Sequence, residues 1–292
     1  MRVLLYHNQS AGNGDIPADN VLTALRRAGH DAVYREKKRG PVDESDLKDV
    51  ELVVVAGGDG TVKSAVERFH HAVRDFAILP LGTANNIARA LGIRGTVADL
   101  VPRLADAPTR SLNVGHVDVA GEAAPFVEGV GAGPLAQAMT QTHRRDIPSA
   151  RKSEFARRVL AMLLDRAVPL DLRLTADGHE IGGDALMVEV LNTPFVGPNL
   201  CPAPDADPGD DRLAVAILRP EQRDAALRAL EAGESRVPLE VIPAARVEMD
   251  LANAALRIDD DFFDPRQALR TLTLALEPDA LRIAVPAAKD EP

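Results

Sequence analysis

The sequence predicts two domains: an α/β N-terminal domain on an open, mostly parallel, Rossmann-like sheet, then a β-rich antiparallel sandwich. Three observations carry that reading. Leu52–Ala56 and Phe76–Leu79 are unbroken apolar runs, which suit parallel strands covered on both faces. Helical periodicity lies between and beside them, and alternating strand and helix signals imply an open α/β sheet. Beyond about residue 115 the pattern becomes strictly alternating, as in antiparallel strands with one solvated face.

The elements follow in order. A short apolar run, Val3–Tyr6, opens the chain. From Pro17 to Ala28 the residues Val21, Leu22, Ala24, Leu25 and Ala28 share a helical face, and Gly29 stops it. Leu52–Ala56 ends in glycines and Phe76–Leu79 in Pro80, after which Asn85–Leu91 reads as a second helix stopped by Gly92. In the second half Leu170, Leu172 and Leu174 alternate with Asp171, Arg173 and Thr175, and Asp177-Gly178 supplies a hairpin turn. Val247, Met249 and Leu251 repeat the device, as do Leu272, Leu274 and Leu276. Helices are expected near 153–167 and 221–232, and residues 287–292 as a frayed tail.

Composition narrows the function classes. The 292 residues make about two domains at ~150 residues each. Apolar residues are 46% and charged residues 27%, as in ordinary soluble globular proteins. Aromatics are 3%, with no Trp, which argues against a nucleic-acid surface of base-stacking platforms. Lys and Arg number 34 against 44 Asp and Glu, a formal charge of −10, so bulk charge does not attract nucleic acid either. The one cysteine, Cys201, excludes an intrachain disulfide and multi-cysteine zinc patterns. Val3–Tyr6 is too short for the apolar core of a signal peptide, and no run reaches the ~20 residues of a membrane span. A cytoplasmic protein is expected.

The chemistry gathers in three loops, each just after a predicted strand: Asn8-Gln9-Ser10-Ala11-Gly12-Asn13-Gly14, Gly57-Gly58-Asp59-Gly60-Thr61 and Pro80-Leu81-Gly82-Thr83-Ala84-Asn85-Asn86. An open parallel sheet binds its ligands at the carboxyl ends of its strands, where these loops would converge. Glycine lets the backbone approach a ligand, a helix start supplies amides for an anion, and Thr61 and Thr83 add hydroxyl donors. A single such loop is ordinary turn chemistry; three in register point to phosphate. There is no Gly-x-x-x-x-Gly-Lys-Ser/Thr loop, and the first loop lacks dinucleotide spacing. Asp59 beside a polyphosphate implies a divalent cation between them, most simply Mg²⁺. Capping of the following helix is the competing reading of this aspartate.

Gly57-Gly58-Asp59-Gly60-Thr61, followed by Pro80-Leu81-Gly82-Thr83-Ala84-Asn85, resembles the catalytic domain of the diacylglycerol-kinase superfamily, in particular its soluble bacterial lipid kinases. The first loop is similar to that family's Asn-Pro-x-Ser/Ala-Gly-x-Gly, with Gln9 for proline. Asn192, Pro202 and Asp210–Val215 resemble a later family segment, and Asp259-Asp260-Asp261 falls where the family has Asp-Gly-Glu. The resemblance implies an ATP- and Mg²⁺-dependent lipid kinase acting on a hydroxyl of diacylglycerol or a related lipid, which would enter a cleft between the domains. Asn8, Gly57, Gly58, Asp59, Gly60, Thr61, Gly82, Thr83, Asn85 and Arg89 would bind nucleotide. Asp59 would carry catalytic Mg²⁺, and Asp261 would be the base, supported by Asp259. Asp210 and the carbonyls of Leu213 and Val215 would hold a second, structural Mg²⁺. The nucleotide domain would be 1–114, rejoined by 278–292, and the lipid-substrate domain 115–277. A solvated acidic turn is the competing reading of the Asp259–Asp261 triplet.

Besides Gln9, five positions depart from the family: Asp261 for glutamate, Asn86 for aspartate, Lys63-Ser64 for Asn-Glu, and Asp211 for glycine. Asn86 and Asp261 motivate one alternative, a catalytically impaired nucleotide or lipid sensor; a kinase of a non-lipid alcohol or NAD is the other, since Gly57-Gly58-Asp59-Gly60-Thr61 alone would also fit an NAD kinase. Arg144, Arg145, Arg151, Lys152, Arg157 and Arg158 stand against Asp146 and Glu154, six positive charges to two negative. That segment reads either as a transient peripheral contact with an anionic membrane or as a solvated basic face. His70-His71 is expected at a helix end, His7 in solvent, and Cys201 as a structural thiol.

Overall fold

A computed structural model describes residues 1–12, 16–38, 47–119, 121–251, 254–263 and 271–287. Asn13 and Gly14 of the first loop and residues 288–292 of the expected tail lie outside them. The chain forms two compact units: Met1–Leu112 with the closing segment from Asp279, and Asn113–Pro278.

The first unit comprises β1 (Arg2–His7), α1 (Ala18–Arg27), β2 (Asp31–Glu36), β3 (Leu52–Gly57), α2 (Asp59–Phe69), β4 (Asp75–Pro80), α3 (Asn86–Ala90) and α4 (Val97–Leu100). Its strands are parallel in the order β2-β1-β3-β4, and Arg282–Ala284 adds in parallel beside β4. All six residues of β3 are buried, which is why that run shows no polar alternation. Helix α1 sets Val21, Leu22 and Leu25 into the core. Gly29, at φ +85°, ends it, as Gly92 at φ +78° follows α3. The strand order reverses between β1 and β3, and the first two loops leave from their carboxyl ends at that switch point.

The second unit holds most of β5 (Thr109–Val119), then β6 (Glu122–Phe126), β7 (Gly129–Ala132), α5 (Pro134–His143), α6 (Ser149–Asp165), β8 (Leu170–Ala176), β9 (His179–Ala185), β10 (Met187–Leu191), β11 (Leu213–Leu218), α7 (Arg223–Glu231), β12 (Glu240–Ala244), β13 (Arg246–Asp250), β14 (Leu256–Ile258), β15 (Asp261–Phe263) and most of β16 (Thr271–Ala284). One antiparallel sheet runs β12-β11-β10-β7-β14-β15, and β16-β13-β8-β9 form the facing antiparallel set. The two share a core in which Leu172, Leu174, Val247, Met249, Leu272 and Leu274 meet Val130, Val188, Val215 and Ile258. These leucines and valines are the alternate residues of the sequence pattern, and their charged neighbours point outward. Asp177 (φ +49°) and Gly178 (φ +82°) make the tight β8–β9 turn. Helix α5 was not expected. Its small, mixed residues carry little amphipathic signal, and packing of Leu135, Ala136 and Ala138 decides it.

Candidate active site

In the first unit the three loops interlock. The Leu81 amide donates to the Gly57 carbonyl at 2.9 Å. The loops approach so closely that a β-carbon on Gly82 would lie 2.4 Å from the Gly58 α-carbon, and one on Gly12 2.7 Å from the Leu81 oxygen. Glycine at 58 and 82 therefore lets loop meet loop. Asn85 ties its own loop with paired bonds, Oδ1 accepting from the Gly82 amide and Nδ2 donating to the Gly82 carbonyl, both 2.9 Å. It does so from a left-handed backbone, φ +50°, which asparagine tolerates better than most residues. Asn8 Oδ1 accepts from the amide and hydroxyl of Ser10, shaping the start of the first loop.

Asp59 is the first residue of α2, with Gly58 as the N-cap. Its Oδ1 accepts from the Ile87 amide of α3 at 3.0 Å, so the acid joins the second loop to the helix that follows the third. Gly58, Asp59 and Gly60 are half-buried, and Thr83 and Arg89 lie at exposed or half-buried positions around them. Thr61 differs from expectation. It is buried beneath Gly57, where a β-carbon would fall 2.3 Å from its Oγ1, so Thr83 is the threonine open to a ligand. Lys37, which the sequence did not single out, donates from Nζ to the Gly60 carbonyl at 2.6 Å and brings a cation to the same loop. The half-buried carboxylate, the α2 amides and the Lys37 ammonium are a donor set that fits a Mg²⁺-bound nucleotide phosphate.

His7 is a correction. It is 1% exposed, lying at the end of β1 with its ring 6.2 Å from that of Tyr34. Burial pushes its pKa below 6.5. His70 does sit at the end of α2 as its C-cap, and Cys201 is buried.

In the second unit β14 and β15 pair so that Ile258 faces Asp261, with Asp259 and Asp260 at the bend. Asp261 and Asp260 are exposed, whereas Asp259 is buried. The Asp259 carboxylate receives three successive amides, from Val127 and Glu128 at 2.8 Å and Gly129 at 2.9 Å. It acts as an internal anion in a backbone nest, a positioning residue that fixes the bend carrying Asp261. Its left-handed backbone, φ +48°, is sustained by those bonds. Beneath the bend Arg257 meets Glu189 and Glu128, and Asn192 Nδ2 donates to the carbonyls of Asn113 and Val127. Buried charge of this kind leaves no periodic signal, so pattern reading passes over it.

Asp210 closes its own turn by accepting from the Arg212 amide at 2.9 Å, and its carbonyl takes the Asn113 amide side chain. Leu213 faces Ala244, while Val215 lies between Val190 and Ile242 inside the sheet. A residue flanked on both sides directs its carbonyl into the ladder, so a cation drawing on Val215 would compete with sheet bonding. Among the described residues no group of three or more His, Cys, Asp or Glu side chains is placed to hold a metal.

The basic segment divides. Arg157 donates to the carbonyls of Pro198 (3.0 Å), Glu234 (2.7 Å) and Asn199 (3.1 Å), so it ties loops together and is withdrawn from the expected membrane contact. Arg144, Arg145, Arg151, Lys152 and Arg158 are exposed. Arg145 lies 5.2 Å above the Phe155 ring, and Arg158 pairs with Glu154 one turn away. Among the described residues no helix is long and apolar enough to cross a membrane.

Comparison with known proteins agrees with this architecture. A family model described as the diacylglycerol kinase catalytic domain matches residues 2–117, and one described as the YegS C-terminal NAD kinase beta sandwich-like domain matches 128–285. A diacylglycerol kinase of Mycobacterium tuberculosis is 29% identical over 230 residues, covering 70% of this chain and 72% of its own. A Pseudomonas aeruginosa protein described as "Probable lipid kinase YegS-like" is 28% identical over 302 residues, covering 98% and 94%. The crystal structure of a diacylglycerol kinase from Bacillus anthracis superposes with a TM-score of 0.71 at 18% identity, over 98% of this chain and 97% of that one. The fold is shared.

Proposed function

The chain belongs to the family that joins a diacylglycerol kinase catalytic domain to a YegS-type β-sandwich domain, and so is a lipid kinase; we propose that it transfers the γ-phosphoryl group of ATP, with Mg²⁺, to a hydroxyl of diacylglycerol or a related membrane lipid. The observation that carries this reading is the interlocked set of loops at the switch point, with Asp59 bonded to α3, the helix that follows the third loop. ATP, when bound, supplies the phosphoryl group, and Mg²⁺ neutralises its charge. The chain's own residues do the positioning. Amides at the start of α2 and the Gly60 loop receive phosphate oxygens, Thr83 and Arg89 add donors, and Asp59 directs the cation. In the second unit Asp261 takes the proton of the acceptor hydroxyl, at a bend that Asp259 keeps rigid. The exposed basic residues of 144–158, Arg157 excepted, contact anionic headgroups.

Incubation with ATP, Mg²⁺ and mixed-lipid vesicles, beside parallel incubations with soluble alcohols and NAD, tests the reading by mass spectrometry of the products. A phosphate gained by a lipid supports it. A phosphate gained only by NAD or a soluble alcohol overturns the acceptor, and nucleotide binding without any product favours a sensor.

A further inference from the structure

The β12-β11-β10-β7-β14-β15 sheet carries Asp261 at one edge. A separate cavity of about 720 Å³ opens at the other edge, over β11 and β12. Every residue lining it belongs to the second unit, and its volume lies within the range of small-molecule sites. Its floor is Leu213, Ala214 and Val237, the first buried in the sandwich core and the other two in the apolar cluster beneath α5, α6 and α7. Its wall is the edge strand, where Val241 is 42% exposed, one of few large apolar side chains in that state among the described residues. The rim is polar on one side. Arg212 is engaged by Asp177 at 3.2 Å and Asp211 at 3.6 Å, and Asp210 accepts from the Arg212 amide. Arg236 and Asp205 remain as the rim charges with no hydrogen bond or ion pair among the described residues.

We propose that this cavity binds a single hydrocarbon chain with an anionic head, as in a fatty acid. The chain lies along Val241, Leu213 and Val237, and the head pairs with Arg236. A deep apolar floor removes a chain from water, and a guanidinium without a partner gives a carboxylate one charge-assisted position. Asp205 sets the polarity test, because a cationic head would turn to it instead. The site is distinct from the phosphoryl-transfer residues, since three strands of the sheet, β10, β7 and β14, lie between β11 and β15.

Cys201, the only cysteine of the chain, lines the cavity and is 7% exposed, so it reports occupancy directly. The full chain is treated with a maleimide, with oleate or oleylamine at submicellar concentration, and calorimetric titration with oleate reads binding without the thiol. The assay contains no nucleotide or acceptor lipid, so its outcome is independent of the kinase reading. Oleate should slow modification several-fold and release heat on binding, and oleylamine should do neither. Arg236→Glu should weaken oleate binding about ten-fold or more, and Val241→Asp should abolish it with unchanged circular dichroism. No protection together with no binding heat overturns the proposal. So does equal protection by oleylamine, or binding that both substitutions leave intact.

Discussion

Arg257 and Glu189 lie fully inside the second unit, joined from Nη2 to Oε2 at 2.6 Å. Gly131 makes room for the pair, because a β-carbon there would fall 1.9 Å from Glu189 Oε2. The guanidinium reaches further, to Glu128 and to the carbonyls of Gly129 and Asp259. It thereby gathers the strand ends that shape the Asp259–Asp261 bend. Burial outweighs Arg257 at Glu189 and pushes that carboxyl's pKa up.

Removing one partner of such a pair leaves a buried charge without compensation. Arg257→Met should therefore cost about 3–5 kcal/mol in urea unfolding. Adding Glu189→Leu should restore much of that loss. A double variant no more stable than Arg257→Met alone would contradict this account of the pair.

Gly82→Ala tests the loop junction. The new methyl would meet the Gly58 α-carbon and Asn85 Oδ1, forcing the second and third loops apart at a cost of about 1–3 kcal/mol. Nucleotide affinity by calorimetry should fall at least about ten-fold, because the loops are pre-organised for it. Unchanged affinity would detach the junction from nucleotide binding.

Most of the fold was legible because it rests on periodicity. The β3 and β4 runs, the α1 stripe and the β8 alternation each report burial through residue order. The glycine loops were legible by composition, and their convergence followed from strand order. What escaped depends on long-range contact. Lys37 reaches Gly60 across 23 positions, Arg257 meets Glu189 across 68, and Asp259 finds its amides about 130 residues away. His7 was misplaced because it adjoins the polar first loop, Asn8-Gln9-Ser10, in sequence, while its neighbours in space are Tyr34 and the sheet.

The divided basic segment gives a paired prediction. Charge reversal at Arg151 and Lys152 should weaken sedimentation with anionic vesicles, by about 1 kcal/mol for each basic charge removed, and leave stability unchanged. Arg157→Ala should lower thermal stability, because three loop carbonyls lose their donor. Reversed roles would overturn the division.

His7 predicts a pH effect with a definite sign. Its folded pKa lies below the ordinary 6.5 because burial disfavours the imidazolium. Between those values the unfolded chain binds the extra proton, so this contribution is present above pH 6.5 and is lost as pH falls toward the folded value. His7→Gln should flatten the acid-side decline by up to about 1.4 kcal/mol per pH unit. Parallel stability curves for the two proteins from neutral to mildly acid pH would refute it.

The most direct test of the central claim is transfer of labelled γ-phosphate from ATP and Mg²⁺ to vesicles containing diacylglycerol, comparing wild type with Asp59→Ala and Asp261→Asn. The account predicts labelled lipid from the wild type and a loss of about 100-fold or more in each variant, with Asp261→Asn still binding nucleotide. Full activity in Asp261→Asn would contradict its role as the base, and no label in any lipid from the wild type would contradict the lipid kinase itself.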